Sequence, residues 1–245
     1  MTDWLTYEWD FHGERATFRV DMQYWDLLPV LSYSQLVYVC VAPRGPLAKG
    51  FNAVEQYRFR LLRHRLIDEL EGRAIHVGSV YTDTLRTLYF YAAETDVIQL
   101  ASATCREYGM LAITCAHASE PHFTTYYKFL YPDDVRLQSV ENAAYIEAMR
   151  KRGGDVDMVR RVELTLSFLT VEDRNAFLKE VPKLGFTPGS TAWDAENTHP
   201  AMCTVSGFTN LSLHNLNRFT ARAIAAAAPL EGMLTDMEAE FVKRY

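Results

Sequence analysis

Seven histidines are spread through the 245 residues, and His117-x4-His122 comes nearest to a metal-binding spacing. A helical zinc pair needs i, i+4, and structural zinc sites add cysteines. The His117 spacing offers neither, so a packed or loop-exposed role accounts for both residues. His76 and His117 fall on predicted strands, where an imidazole can act as a pH-sensitive group. Asp133-Asp134 follows Pro132. Paired carboxylates do acid–base work when their surroundings shift their pKa values, but an Asp-rich turn after proline ordinarily caps or solvates a loop, and that plainer role is expected here. No serine stands in G-x-S-x-G, and Ser206-Gly207 lacks the flanking pattern of a nucleophile elbow.

Phosphate-cradling loops need G-x-x-x-x-G-K-[ST] or G-x-G-x-x-G between a strand and a helix, and neither occurs. Residues 42–50 do join a strand to a helix and carry Arg44, Lys49 and two glycines, so an anion could sit there. The same prolines and glycines suit a plain crossover loop. The four cysteines, Cys40, Cys105, Cys115 and Cys203, form no C-x-x-C and read as reduced thiols of a cytoplasmic protein. One basic cluster, Arg58, Arg60, Arg63, His64 and Arg65, spreads around more than half of a helical wheel. Ion pairs with Glu55, Asp68, Glu69 and Glu71 would make it a solvated helix face. A net charge of −6 disfavours phosphate-backbone binding, which needs clustered positive surface. No apolar run approaches the ~18 residues of a membrane span. The opening MTDWLTYEWDFHGER has no basic and no apolar signal region, so no signal peptide is expected.

The elements that would position these groups follow from periodicity. Residues 4–22 alternate aromatic and charged types around Gly13 and predict a hairpin. The continuous apolar run 36–41 predicts a central strand. A helix is expected over 53–71, with Phe59, Leu62, Leu66 and Leu70 on one side. Strands over 75–81 and 85–91 make a second hairpin. A helix capped by Asp96 or Thr95 carries Val97, Ala101, Cys105 and Tyr108 inward, and residues 110–116 give another strand. Residues 126–131 predict a strand or a packed aromatic segment, 140–149 a short helix, and 151–155 a linker.

After that linker, Val162, Leu164, Leu166 and Phe168 point to one face of a strand, and Glu163, Thr165 and Ser167 to the other. Thr170 with Asp173 forms a variant of the capping box. The following helix carries Phe177, Val181 and Leu184 and should kink or tighten at Pro182 before Gly185 ends it. Two strands over 186–193 and 202–208 come next. A helix over 211–228, capped by Asn210 or Thr209, packs through Leu213, Leu216, Thr220, Ala223 and Ala227. An edge strand over 234–242 ends the order. Each half reads β-α-β-β-α-β, so the expected fold is α+β: two ferredoxin-like domains in tandem, residues 1–150 and 151–245.

Two parts of the chain carry a family resemblance. Gly154-Asp155, Arg161-Val162 opening the alternating strand, Phe177, and Leu184-Gly185-Phe186 resemble the regulator of ribonuclease activity B family, the ribonuclease E inhibitors. Trp4, Tyr7, Val77-Gly78-Ser79, Leu88-Tyr89-Phe90-Tyr91, and Tyr127 through Tyr131-Pro132 resemble a domain of unknown function found joined to that family. The resemblance implies a ferredoxin-like fold and a non-catalytic role, binding an RNA-processing endonuclease and modulating its activity. Family members tend to carry an aromatic-Asp-Gly-Trp segment near the C-terminal end. Here the matching stretch is Leu234-Thr235-Asp236-Met237, so Asp236 alone carries over.

The leading expectation is therefore a cytoplasmic regulatory protein that binds another protein. No catalytic residue, cofactor or metal is expected, and no direct nucleic-acid or membrane contact. Acidic Asp194, Glu196, Asp236 and Glu238, with Trp193 as an aromatic anchor, would face a basic partner segment, and complementary charge would speed encounter. Solvated surface is the plain alternative for each residue taken singly. The competing expectation is an enzyme or small-ligand binder in the first half, using His76, His117, Tyr89 or Tyr91. That reading needs two of these groups converging in a pocket. RNA binding through exposed sheet aromatics would need paired aromatics beside Arg or Lys, which the strand at 162–168 lacks.

Overall fold

The aromatic–charged alternation around Gly13 folds as its period demands. β1 (Trp4–Phe11) and β2 (Glu14–Asp21) pair antiparallel, and the two turn residues take left-handed backbone, His12 at φ 55 and Gly13 at φ 83. Such a turn matches the twist of the strands it joins. The computed structural model describes residues 3–28, 32–44, 50–109 and 111–243. Within the anion-loop candidate, residues 45–49, including Lys49, lie outside the described residues, as does Met110 at the start of a predicted strand.

A short helix α1 (Tyr24–Leu27) leads to β3 (Gln35–Ala42), α2 (Ala53–Leu70), β4 (Ala74–Tyr81), β5 (Arg86–Ala92), α3 (Val97–Arg106) and β6 (Ala112–Ser119). The sheet order is β1-β2-β4-β5-β3-β6, with every pairing antiparallel. The N-terminal hairpin thus widens this sheet beyond β4. Helix α2 starts at a full capping box: the Asn52 side chain accepts from the Val54 and Glu55 amides, and Glu55 reaches back to the Asn52 amide. Its ladder of Phe59, Leu62, Leu66 and Leu70 is buried against Val37, Val39, Leu88 and Phe90, with Val97 and Ala101 of α3. Asp96 stands at the N-terminus of α3 but makes no side-chain cap; its carboxylate pairs with Arg73 instead.

The opposite face of this sheet is also covered. Residues Thr125–Leu130 form a wide helical turn of the π type, so the packed-aromatic expectation holds and the strand does not. The Tyr7 hydroxyl donates to the Leu130 carbonyl at 2.8 Å, and the Tyr126 hydroxyl to the Asp21 carbonyl at 2.7 Å. Phe129 packs against Phe11, Phe18 and Tyr89. The turn lies so close that a Cβ at Gly78 would meet Leu130 and the Arg19 carbonyl at 3.0 Å.

The chain divides into two units, Met1–Pro132 and Asp133–Tyr245. The boundary therefore falls well before the expected linker at 151–155. The cause is helix α4 (Asp134–Lys151), longer than its apolar pattern suggested. Asp133 caps it by accepting from the Arg136 amide, one of the two plain roles expected of the Asp pair. Polar residues, which periodicity does not count, fix α4 to a later helix, α6 (Leu213–Ala227). Asn142, fully buried, donates to Asn217 at 2.9 Å and Thr220 at 3.0 Å and accepts from Gln138. The expected linker is an ordered helix end: Gly154 bridges to Lys243, and the Gly154 amide returns to the Met149 carbonyl.

The second unit continues with β7 (Arg160–Phe168), α5 (Val171–Glu180), β8 (Thr187–Trp193), β9 (Ala201–Thr209), α6 and β10 (Met233–Ala239), in the sheet order β10-β7-β9-β8. The strand-to-helix switch behaves as read. Thr170 accepts from the Asp173 amide, and at Pro182 the helix tightens into a 3-10 turn that Gly185 ends with φ 82. The cap of α6 differs: Ser212, not Asn210 or Thr209, accepts from the Asn215 amide, and Asn210 in turn holds the Ser212 hydroxyl. Val162, Leu164, Leu166 and Phe168 share one core with Phe177, Leu216, Phe219, Ala223 and the α4 residues Ile146 and Met149. All three helices thus pack through the same sheet face. Each unit is an antiparallel α+β structure.

Candidate functional site

The outward face of the second sheet follows from register. Glu163 on β7 stands opposite Glu238 on β10, Thr165 opposite Asp236, and Arg161 opposite Phe208 on β9. These positions alternate with the buried Val162, Leu164 and Leu166, so they point away from the helices. Phe208 is 76% exposed. Arg161 pairs with Glu163 at 2.7 Å. Around the end of β10, a groove of about 460 Å³ is lined by Tyr145, Arg152, Arg161, Glu163, Glu238 and Phe241, among others. The Tyr145 hydroxyl accepts from the Ala239 amide at 2.9 Å and so anchors that edge strand to α4.

The five sequence-predicted contact residues do not form one patch. Asp236 and Glu238 lie on β10, one edge of the sheet, on its outward face. Trp193, 59% exposed, ends β8, the other edge, about 14 Å away at three strand spacings. Its register partner Ala201 belongs to the core, so Trp193 projects from the helix side. Asp194 and Glu196 stand in the loop that follows. Asp194 organises that loop: its carboxylate accepts from the Glu196 amide at 3.1 Å, and its own amide donates to the Pro200 carbonyl at 2.9 Å.

In the first unit, the four residues named for small-ligand chemistry also separate. The Tyr89 ring meets Phe129. Tyr91 packs on Phe123 and hydrogen-bonds the Glu120 carboxylate. Burial raises both phenol pKa values, with the Glu120 hydrogen bond adding to the rise at Tyr91. His117 stands on the edge strand β6 opposite Val37. His76 opens onto a cleft.

That cleft, about 490 Å³, is lined by Trp4, Arg19, Asp21, Tyr24, Arg63, Asp68, Glu71, His76 and Phe90, with neighbours. His76 lies between Trp4 and Phe90 at centroid distances of 5.1 and 5.0 Å, and its Nε2 is 3.1 Å from the Ser79 hydroxyl. Arg19 stacks on Trp4 at 4.5 Å. Burial, then the charges of Arg63 and Arg19, push the His76 pKa down to about 3, so the imidazole is neutral at pH 7. Asp21 is committed elsewhere: its carboxylate accepts from the Asp3 amide and from Gln23. Sequence reasoning missed Arg19 and placed Arg63 on a solvated face. The available signal was Arg19 between Phe18 and Val20, a cation on the helix-side face of a strand. Of the expected helical ion pairs, Arg65–Glu69 is present.

Among the described residues no cluster of three or more His, Cys, Asp or Glu could hold a metal ion, and no helix is long and apolar enough to cross a membrane.

The geometry thus defines a tandem α+β protein whose second sheet presents an open outer face. Comparison with known families places it more closely. Residues 2–131 match the family of unknown function DUF695, and residues 139–238 match regulator of ribonuclease activity B. The chain belongs to the DUF695 family, and the match to regulator of ribonuclease activity B lies within its second unit. No curated protein matches it. Two solved structures are similar. One is an unknown protein from Galdieria sulphuraria, 12% identical, covering 86% of this chain and 98% of that one, with a TM-score of 0.21. The other, described as a glycine cleavage system transcriptional repressor, is 13% identical with the same coverage and a TM-score of 0.22. Scores this low carry no argument.

Proposed function

We propose that this protein is a non-catalytic cytoplasmic regulator that binds an RNA-processing endonuclease and modulates its activity, with its contact surface in the second unit. One observation carries the reading: the regulator family match spans the unit whose sheet leaves a face free of its own helices. Both units are assigned to the ferredoxin-like fold, which their strand orders support. β6-β3-β5-β4 and β10-β7-β9-β8 each run fourth, first, third, second, with antiparallel neighbours.

The primary contact is the β10 side, where Glu163, Asp236 and Glu238 share the outward face. Their negative charge would steer a basic partner segment, giving fast and salt-sensitive association. Trp193, Asp194 and Glu196 form a second contact for a partner long enough to reach the other edge. Calorimetry with the purified endonuclease at two salt concentrations tests this. Asp236→Asn with Glu238→Gln should weaken binding at least about tenfold, about 1.4 kcal/mol, and flatten the salt dependence. Trp193→Ala should act less. No complex, or binding indifferent to all of these changes, sinks the proposal.

A second reading, small-ligand binding in the first unit, is favoured by the cleft at His76. Two guanidinium groups line it without an ion-pair partner within 4.0 Å among the described residues, beside a neutral imidazole and two aromatic rings. Titration of the His76 ring proton resonances with inorganic phosphate and with acetate would test it. Unchanged resonances at high concentrations of both anions would remove it.

A further inference from the structure

Cys105 on α3 and Cys115 on β6 bring their sulfurs to 3.5 Å. Both are free thiols. A disulfide needs about 2.05 Å between sulfurs, so closure takes about 1.5 Å of movement, within reach of side-chain rotation at both residues. The two sites are unequal. Cys115 sits half-buried on β6, the edge strand of its sheet, where a small molecule can approach from the side. Cys105 is 6% exposed and faces the core.

We propose that Cys105 and Cys115 form an oxidisable dithiol site whose oxidant is a hydroperoxide, with Cys115 attacking and Cys105 resolving to a disulfide. In the first step the Cys115 thiolate attacks one peroxide oxygen. The O–O bond breaks, the sulfur becomes a sulfenic acid, and the departing oxygen takes up a proton as water or an alcohol. In the second step Cys105 loses its proton and its sulfur displaces the hydroxyl from Cys115. The S–S bond forms, and hydroxide with that proton leaves as water. Two thiols lose two electrons in all, and one peroxide gains them.

The surroundings support this division of labour. Hydrogen bonds from Cys105 and Ser102 stabilise the Cys115 thiolate and bring its pKa down to about 7 against the opposing effect of burial. The hydrogen bond to Cys115, then burial, pushes the Cys105 pKa up, so it keeps its proton until its partner is oxidised. The other two cysteines are internal controls. Cys40 contacts the Thr87 hydroxyl at 3.6 Å. Cys203 is 1% exposed in the second core, and burial raises its pKa to about 11. The bond would staple α3 to the edge strand. The proposal is independent of partner binding.

The test is to expose the reduced full-length chain to stoichiometric hydrogen peroxide, alkylate the remaining thiols, and map peptides by mass. The expected result is a linked Cys105–Cys115 pair with Cys40 and Cys203 alkylated, and Cys115 reacting at least about tenfold faster than Cys40, whose sulfur meets the Thr87 hydroxyl where Cys115 meets a second thiol. In Cys105→Ser, Cys115 should stop at a sulfenic acid that dimedone traps. If that variant fails to fold, the competition among cysteines in the unaltered chain decides alone. Absence of the linked pair, or Cys40 oxidising as fast as Cys115, overturns the proposal.

Discussion

The two sheets are the same kind of object finished differently. The first has α2 and α3 on one face and the Thr125–Leu130 turn on the other, where Phe129 packs on Phe18 and Tyr89 and the Leu130 carbonyl takes the Tyr7 hydroxyl. The second packs three helices on one face and leaves Arg161, Glu163, Phe208, Asp236 and Glu238 pointing outward. A sheet covered twice has little left to offer a macromolecule, and the His76 cleft lies on its helix side, between α2 and the strands β1 and β2. An open polar face with an exposed aromatic costs little to keep solvated and is ready for contact. The proposed division, small-ligand binding in the first unit and macromolecular contact in the second, rests on this difference.

The covering turn is where this comparison is easiest to break. Leu130 is fully buried. Leu130→Ala should destabilise the first unit by about 2–5 kcal/mol through lost burial and a cavity, measured by urea unfolding. A negligible change would mean that the turn is not a true second layer. Gly232→Ala tests the core of the second unit. The added methyl would lie 2.2 Å from the Phe168 ring, which is itself fully buried. Overpacking of this kind costs about 1–3 kcal/mol, read as a lowered unfolding midpoint.

His76 gives a pH-dependent prediction. Its folded pKa, about 3, lies below the ordinary 6.5. Between these values the unfolded chain binds a proton that the folded imidazole refuses. Stability is therefore full above pH 6.5, falls as the pH drops through it, and levels off near 3. Between pH 6.5 and about pH 5 the loss should reach up to about 2 kcal/mol, and His76→Gln should flatten that slope. An unchanged slope would mean that the imidazole is protonated and solvated. The smallest effect belongs to the open face: Phe208→Ser should change stability by less than about 0.5 kcal/mol, in contrast to Leu130→Ala. A large loss would show that the face is packed.

Most of the element order was legible, because two periods, 2 and 3.6, mark strands and helices in any sheet-and-helix unit. The Thr170 cap, the tightening at Pro182 and the edge strand β10 follow from local chemistry alone. The unit boundary was not legible. It depends on Asn142, Asn217 and Thr220, three polar residues that meet across 75 and 78 positions of sequence, and no hydrophobic pattern reports such a contact. The helical turn over Thr125–Leu130 read as strand or packed segment because its aromatic residues carry no helical spacing. The proposed contact residues could be named from the sequence but not placed: Trp193 and Asp236 each have acidic sequence neighbours, yet stand on opposite edges of the sheet. Arg19 and Arg63 come together with His76 only through pairing of β2 with β4 and packing of α2.

Amide hydrogen exchange of the full chain, alone and with the endonuclease, tests the central claim most directly. New protection concentrated on β10 and the adjoining part of β7 is the predicted result. A formed complex that protects only the first unit, or leaves β10 unchanged, would contradict it.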